Sequence, residues 1–228
     1  MRIRHIGSMK IDLTPEILIT AYAQGVFPMA DSGDSDEVHW VLPERRGQLS
    51  IADMHVPRRL KKNVRQMKLP DGLYEIKINH DFKAVVEACA QISDMRDETW
   101  INQDIIDVYC ELHEAGLAHS VECWQKDGGL VGGLYGISIG GAFFGESMFS
   151  RQRDASKVAL VHLVARLYHA GFEILDTQFT NAHLEQFGVY EVAHKKYMER
   201  LTPALEKPCV FDFKEPSERG LIEKYLSQ

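Results

Sequence analysis

The sequence lacks the features of a membrane or secreted protein. None of its apolar runs approaches the roughly 20 residues that a membrane-spanning helix needs, so no integral membrane protein is expected. The basic start, Met1–His5, is not followed by the apolar segment of a secretory signal. The four cysteines, at positions 89, 110, 123 and 209, show no CxxC spacing and are predicted to be buried free thiols. These absences predict a cytoplasmic protein.

An excess of positive charge is also absent. Lys and Arg total 26 against 33 Asp and Glu, which gives a net charge of -7. This balance excludes a strongly basic nucleic-acid coat as a property of the whole protein. A local basic cluster does occur on one predicted helix, at Arg58, Arg59, Lys61, Lys62 and Arg65. It is interpreted either as a solvated helix surface or as a track for phosphates.

Metal-binding and nucleotide-binding motifs are missing as well. His113 and Glu114 form an HE pair, but the next histidine is His119, so HExxH is absent and no metal site is predicted. The glycine-rich stretches 128–133 and 140–141 contain no GK[ST] and are interpreted as hairpin turns. The first of these turns is predicted to begin at Asp127.

A serine nucleophile is the next candidate. Gly145-Glu146-Ser147 resembles the start of a nucleophile elbow, but the elbow's last glycine is missing. That turn needs a helix directly after the serine, whereas the predicted strand continues to Phe149. A structural role for Ser147 is favoured, and a serine hydrolase using Ser147 is kept as an alternative function.

The residues that are present predict an α+β fold with a mixed sheet. Apolar periodicity and capping residues, such as Thr14 and Asn181, predict helices at 15–24, 57–65, 81–91, 103–115, 155–170, 181–187, 195–201 and 217–226. Strands are predicted at 119–124, 130–138 and 142–149, which form an antiparallel meander, and at 172–179. The segment 27–48 is predicted to be a loop, and a domain boundary is placed between 55 and 56.

Two strands carry polar residues that need partners if they are buried. Ile174, Asp176 and Gln178 alternate along one strand and are predicted to share a face. Glu146 lies within the apolar segment 143–149. A buried carboxylate is either a functional group or half of a structural pair. For Asp176 and Gln178 the structural interpretation is a turn at the strand end, and for Glu146 it is an ion pair with Arg151 or Arg153.

Ordered motifs across residues 13–201 resemble one family, the bacterial leucyl/phenylalanyl-tRNA–protein transferases. The matching text comprises AYAQGVFPM (21–29), TWI (99–101), AHSVE (118–122) with Trp124, VGGLYG (131–136), GESMFS (145–150), ASK (155–157) and Asp176-x-Gln178. The chain departs from the family pattern at 39–43, where HWVLP replaces the usual tryptophan pair followed by Ser-Pro.

The resemblance implies a small N-terminal domain, 1–55, and a GNAT-like acyltransferase domain, 56–228, with a mixed, largely antiparallel sheet. It implies transfer of Leu or Phe, with Met as a further donor left open, from aminoacyl-tRNA to proteins that begin with Arg or Lys. The product is marked for degradation. No metal, acyl-CoA or other cofactor is implied, and a monomer is expected. Two rival functions stay open beside the serine hydrolase: a non-catalytic tRNA-binding module and an acyl-CoA-dependent acetyltransferase.

The resemblance also assigns the site. Asp176 and Gln178 are expected to position the attacking amine, and Glu146 to hold the amine or the aminoacyl group. A substrate pocket is expected from Trp40, Trp100, Leu134, Phe143, Leu160, Leu163, Leu175 and Asn181, and a tRNA-binding patch from Arg58, Arg59, Lys61, Lys62 and Arg65. In a regular strand, side chains alternate between the two faces, so Phe143 and Glu146 would point to opposite sides. Because both are assigned to the site, a β-bulge at Gly145 is predicted.

Overall fold

The chain forms two β-sheets, and helices pack on both faces of the larger one. The computed structural model describes residues 3–8, 13–35, 37–91, 98–126 and 128–228. Asp127 of the predicted hairpin turn and Met1–Arg2 of the basic start lie outside these residues. In the part of the chain that is described, no helix is both long and apolar enough to cross a membrane.

The helices lie where apolar periodicity predicts them, with ends that differ by a few residues. They are α1 (Pro15–Ala23), α2 (Arg58–Gln66), α3 (Phe82–Ala90), α4 (Gln103–Glu114), α5 (Ala155–Ala170), α6 (Ala182–Glu185), α7 (His194–Leu205) and α8 (Glu218–Tyr225). The predicted caps are confirmed. The Thr14 hydroxyl accepts a hydrogen bond from the Ile17 amide at 3.4 Å, and the Asn181 side chain accepts one from the Leu184 amide at 2.9 Å. Such bonds satisfy amides that have no partner within a helix.

The strands are only partly those predicted. They are β1 (Ile3–Ser8), β2 (Phe27–Ala30), β3 (Val38–Pro43), β4 (Arg45–Leu49), β5 (Lys68–Leu69), β6 (Gly72–Ile78), β7 (Ala118–Gln125), β8 (Leu130–Ile139), β9 (Ala142–Ser150), β10 (Ile174–Gln178) and β11 (Tyr190–Ala193). The predicted meander, β7–β9, and β10 are confirmed. The predicted loop over 27–48 is wrong, because β2, β3 and β4 lie there. Its prolines are tolerated because Pro28 lies on an edge strand and Pro43 ends its strand.

The larger sheet has the order β11-β4-β10-β9-β8-β7-β6-β5, and the smaller one has the order β1-β3-β2. Strands β9 and β10 are parallel, and their neighbours pair antiparallel. The predicted α+β class with a mixed, largely antiparallel sheet is therefore confirmed. The GNAT-like topology and the domain limits 1–55 and 56–228 stay predictions. Strand β4 lies before that limit, yet it pairs within the larger sheet.

Apolar side chains fill both faces of the larger sheet. One cluster lies between the sheet and α2, α5 and α8, and the other lies between the sheet and α1, α3, α4 and α7. The sequence prediction of buried thiols outside disulfides is correct for Cys89 and Cys123, whereas Cys110 and Cys209 are half-buried. None of the four forms a disulfide within the described part of the chain.

The predicted bulge in β9 is confirmed. Tyr135 pairs with Ser147, whereas the next residue, Gly136, pairs with Gly145, so Glu146 is the extra residue. A bulge of this kind re-aims a side chain and often lies beside a functional site. It does not bring Phe143 to the same side as Glu146, because Phe143 is fully buried in the α5 cluster and stacks on Phe211 with ring centroids 5.2 Å apart.

Candidate active site

A cleft of about 1110 Å³ opens beside the β9 bulge and the end of β10. It brings together nine of the residues that the family resemblance assigns to the site, which are Arg59, Trp100, Leu134, Glu146, Leu160, Leu163, Leu175, Gln178 and Asn181. The four leucines are buried, so this wall is apolar. The opposite end carries a carboxyl and a carboxamide. This combination of an apolar wall and a few convergent polar groups is typical of substrate sites.

Asp176 lies beneath the cleft and is fully buried. Nε of Arg46, also fully buried, lies 2.9 Å and 2.8 Å from the two Asp176 oxygens. The other end of Arg46 donates to the Gly25 carbonyl at 2.8 Å, and its guanidinium lies 4.8 Å from the Phe27 ring centroid. The Tyr197 hydroxyl also donates to Asp176. A carboxylate held in this way is a fixed anchor for the end of β10.

Gln178 turns away from the regular strand at this anchor. Its φ is 53°, a left-handed conformation that is uncommon for residues other than glycine. The Gln178 amide donates to Asp176 Oδ1 at 2.8 Å, which stabilises the turn. The neighbouring strand accommodates the turn through Gly47, where a Cβ would lie 2.6 Å from the Phe179 carbonyl carbon. Strained backbone of this kind is concentrated at functional sites.

The turn aims the Gln178 side chain at Glu146. Gln178 Nε2 donates to Glu146 Oε1 at 3.0 Å. The Gln178 carbonyl oxygen receives no hydrogen bond from any described residue, so it is available to a donor in the cleft. Asp176 therefore acts on the cleft indirectly, by fixing the position of Gln178.

Glu146 is half-buried and has neutral partners. The Tyr22 hydroxyl donates to Glu146 Oε1 at 2.7 Å, and the Tyr109 hydroxyl lies 2.5 Å from that of Tyr22. Burial raises the pKa of the Glu146 carboxyl to about 7, although the hydrogen bonds from the two tyrosines oppose the increase. The interpretation of Glu146 as an ion-pair partner of Arg151 or Arg153 is wrong, because the partners of Glu146 are Tyr22 and Gln178.

Two predicted pocket residues lie outside the lining of the cleft. Phe143 faces the α5 core. Trp40 lies on β3, half-buried and paired with Pro28, whereas Trp100 does line the cleft. The family resemblance assigns both tryptophans to the pocket, and only the tertiary structure separates them.

The predicted basic helix, α2, lies beside the mouth of the cleft. Arg59 lines the cleft and donates to Asp154 at 2.6 Å. The other four basic residues lie outside the lining. Of these, Arg58, Lys62 and Arg65 are exposed and Lys61 is half-buried.

Three further cations lie on the cleft itself. Arg151, Arg153 and Lys157 line it, and Asp154, also in the lining, pairs with Arg59 and Lys157, so the excess positive charge lies at Arg151 and Arg153. None of these three cations is assigned to ligand binding from the sequence.

Four residues that bond to Glu146 or Asp176, directly or through one another, were not predicted from the sequence. Arg46 falls in the segment predicted as a loop, Tyr22 fits the apolar stripe of α1, and Tyr109 and Tyr197 fit helix faces. A buried arginine leaves no periodic signal. The adjacent pair Arg45-Arg46 is visible in the sequence, but it does not reveal that the Arg45 side chain is exposed and the Arg46 side chain is fully buried.

The geometry does not support Ser147 as a nucleophile, and it gives little support to a metal site. Strand β9 continues through Ser147 to Ser150, and no described histidine hydrogen-bonds to Ser147. Among the described residues, Asp31, Glu37 and His39 place ligand atoms within 4.8 Å of one another. Both acids are exposed and His39 already pairs with Asp31 at 3.0 Å, so this group resembles an ordinary surface cluster.

A half-buried carboxyl whose pKa is raised to about 7, beside a cleft with an apolar wall, is typical of the active site of an enzyme that transfers protons. The profile of the family "Leucyl/phenylalanyl-tRNA protein transferase" matches residues 48–202, and that of the family's N-terminal domain matches residues 11–44. The chain therefore belongs to the leucyl/phenylalanyl-tRNA protein transferase family.

Named relatives agree with this assignment, and each is called leucyl/phenylalanyl-tRNA--protein transferase. The protein from Paramagnetospirillum magneticum is 53% identical over 200 residues, covering 88% of this chain and 93% of the relative. Those from Maricaulis maris and Phenylobacterium zucineum are 54% and 55% identical, and each covers 85% of the relative's length. Of this chain, the two alignments cover 83% and 85%, respectively.

Proposed function

We propose that this protein moves a leucyl or phenylalanyl group from aminoacyl-tRNA to the α-amino group of proteins that begin with Arg or Lys. The observation that carries this proposal is the pair formed by the free Gln178 carbonyl and the Glu146 carboxyl beside the apolar cleft. The names of the relatives supply the donor class, and family resemblance supplies the acceptor class and the role in degradation. We place the reaction in the cytoplasm, where aminoacyl-tRNA is used in translation, and expect a monomer.

The chemistry requires orientation more than activation. The donor is an ester already activated by its synthesis, and the acceptor is an α-amine with a pKa of about 8, so about a tenth is neutral at pH 7. The amine nitrogen attacks the ester carbonyl carbon, a C–N bond forms, and the bond to the ribose oxygen breaks. Gln178 accepts one N–H hydrogen bond and directs the nitrogen lone pair at the ester.

Glu146 supplies the proton acceptor in this scheme. With a pKa of about 7, its carboxylate is populated at neutral pH and basic enough to receive a proton from the attacking nitrogen. The leaving ribose oxygen then gains a proton either from Glu146 or from the neighbouring hydroxyl of the tRNA. Tyr22 and Tyr109 hold the carboxylate in place during this exchange.

Selectivity for the donor is assigned to the apolar wall. Leu134, Leu160, Leu163 and Leu175 are each at most 3% exposed, so the wall is closely packed. Such a wall accepts a Leu or Phe side chain and disfavours β-branched chains by shape. Trp100 and Asn181 border the same cleft and are assigned to the adenosine end of the donor, and Trp40 is kept as a weaker member of that set.

Recognition of the tRNA is assigned to cations outside the reacting centre. Arg58, Arg59, Lys61, Lys62 and Arg65 on α2 carry positive charge up to the mouth of the cleft, through Arg59. Contacts to phosphates position the tRNA without reading its bases. The double change Lys61→Glu with Lys62→Glu is expected to weaken tRNA binding at least about tenfold at low salt and to flatten its salt dependence.

Filter binding of Leu-tRNA from 50 to 300 mM NaCl measures both effects. As a matched control, Lys195→Glu with Lys196→Glu changes two adjacent exposed lysines on α7, which does not line the cleft. If the α2 variant kept both the wild-type tRNA affinity and the wild-type salt dependence of binding, α2 would not be part of the tRNA-binding surface.

The reaction itself is tested by incubating the protein with labelled Leu-tRNA and a peptide that begins with Arg. Label is expected in this peptide and not in the same peptide with an acetylated N-terminus. In Gln178→Ala, kcat is expected to fall about 100-fold or more while donor binding is retained. Normal turnover in Gln178→Ala would refute its role, and labelling of Ser147 by a fluorophosphonate would support a serine hydrolase instead.

A further inference from the structure

A second cavity, of about 360 Å³, opens where β4 ends and β10 begins. It is lined by residues that follow β4, by the end of α5 and by residues of β10, β11 and α7. Among the described residues, Leu175 is the one that borders both this cavity and the cleft. The reaction proposed above gives this second cavity no role.

The polar side of the cavity has a donor without a partner. Gln48 is 1% exposed, and its Oε1 accepts hydrogen bonds from Arg200 Nη1 at 2.7 Å and from the Tyr190 hydroxyl at 3.3 Å. Because arginine only donates, the carboxamide oxygen must face Arg200, so the NH₂ group faces away from it. That group, Gln48 Nε2, is buried and has no hydrogen-bond partner in the described structure. That nitrogen is shielded from the cavity, whereas Arg200 lines the cavity and makes no hydrogen bond to a described residue through Nε or Nη2, so these nitrogens are available to a ligand.

The charge of the cavity is positive. Arg200 is half-buried and lies within ion-pair distance of no described carboxylate, although it lines the cavity. Lys207, also in the lining, pairs with Glu173 at 2.9 Å, so these two charges cancel. The net result is one guanidinium without a counter-ion, which matches a monoanion.

The remaining wall is apolar. Leu49 is 2% exposed, Ile51 is 7% exposed and Phe172 is 6% exposed, and all three line the cavity. A phosphate or sulfate has no apolar part that could pack against such a wall, whereas an organic carboxylate has both a planar charged end and an apolar chain. The planar fork of a guanidinium also matches a carboxylate in geometry.

We propose that this cavity binds a small organic monocarboxylate. Its oxygens bond to the guanidinium of Arg200, and its chain lies against Leu49, Ile51 and Phe172. Gln48 pairs with Asp176 across the β4–β10 ladder, so the ligand would lie next to the strand that anchors the active site.

The test is a calorimetric titration of the full chain, without tRNA, at constant ionic strength. Sodium hexanoate, sodium acetate and sodium phosphate are the probes. Hexanoate is expected to bind in a saturable manner, at least about tenfold more tightly than acetate because of its longer chain. In Arg200→Gln the hexanoate affinity is expected to fall about tenfold or more, whereas the matched control Arg219→Gln, an exposed arginine of α8, leaves it unchanged.

A second variant covers the case in which Arg200→Gln fails to fold. Ala52 is exposed and lines the cavity, so Ala52→Phe fills the space without disturbing the buried bonds, and it is expected to abolish hexanoate binding. Equal affinity for phosphate and hexanoate, hexanoate binding that survives Ala52→Phe, or no saturable binding by the wild type would each overturn the proposal. Since no tRNA is present, these results do not depend on whether the transfer reaction occurs.

Discussion

Glu146 in the cleft and Glu218 at the start of α8 are both withdrawn from solvent, yet their surroundings differ. Glu218 pairs with Arg166 and lies 3.0 Å from Nδ1 of His162. Burial works against its charge, but the bonds and charges of His162 and Arg166 prevail and lower its pKa. Glu146 has tyrosine and carboxamide partners instead, and burial raises its pKa to about 7.

The difference shows how partners decide what a buried carboxyl does. Cationic partners fix the charge, so Glu218 joins α8 to α5 and to the carbonyls of Phe211 and Phe213 through Arg166. Neutral partners leave the proton exchangeable, so Glu146 is suited to proton transfer. Asp176 belongs with Glu218, because Arg46 compensates its charge. The proposed active site therefore combines a carboxylate that is paired with an arginine and a carboxyl whose pKa is raised.

The largest effect is expected from removing the arginine that compensates the charge of Asp176. Arg46→Met is expected to lower the free energy of unfolding by about 3–5 kcal/mol, because it leaves a buried carboxylate without a cation. Urea unfolding measures the change. Arg45→Met is the matched control, since Arg45 is 60% exposed and pairs with Glu191 at the surface, and a loss below about 1 kcal/mol is expected there. Equal losses in the two variants would show that Asp176 does not need Arg46.

Next in size is the effect of removing the titratable carboxyl. Glu146→Gln is expected to lower kcat of aminoacyl transfer about 100- to 1000-fold, since the proton acceptor is lost while the shape is kept. Ser147→Ala, the neighbouring residue, should retain transfer within a few-fold. Transfer assays with labelled Leu-tRNA measure the activity of both variants. A fully active Glu146→Gln would show that the Glu146 carboxyl is not needed for aminoacyl transfer.

The pH dependence of stability tests the same contrast. The native state holds the Glu146 proton more tightly than the unfolded chain, so protons are released on unfolding between pH 4.5 and about 7. The stability of wild type relative to Glu146→Gln is therefore expected to decrease as pH rises through that window. Urea unfolding at pH 5 and pH 8 measures this, and a difference that increases with pH would contradict the raised pKa.

The smallest effect is expected at the α8 junction. Glu218→Gln should lower the free energy of unfolding by about 2 kcal/mol at pH 7, because Arg166 and His162 lose a charged acceptor. This loss should vanish as pH falls through the lowered pKa of Glu218, the opposite direction to Glu146. Glu223→Gln on the exposed side of α8 is the control, with little change expected. A loss of kcat in Glu218→Gln equal to that in Glu146→Gln would erase the distinction between the two regions.

Much of the fold follows from local pattern. The helices and the β7–β9 meander carry clear periodicity. The bulge at Gly145 is predicted from the family resemblance instead, which assigns Phe143 and Glu146 to one site; the bulge is present, but Phe143 lies on the other side of the sheet. Strands β2, β3 and β4 do not follow, because prolines in β2 and β3 and the short length of all three strands conceal their alternation. Strand β4 is inserted between β10 and β11, more than a hundred residues away.

For the site, the family resemblance, which rests on residue types and their order, selects the side chains to which we assign the chemistry: Glu146, Asp176 and Gln178, with the leucines of the apolar wall. The states of the two carboxyls depend instead on long-range packing. Arg46, Tyr22 and Tyr197 come from distant segments to surround them. Arg46 and Tyr197 bond to Asp176, and Tyr22 bonds to Glu146, whose pKa is raised by burial to about 7. A pKa depends on burial and on neighbouring charges within a few ångströms, and those distances exist only once the chain has folded.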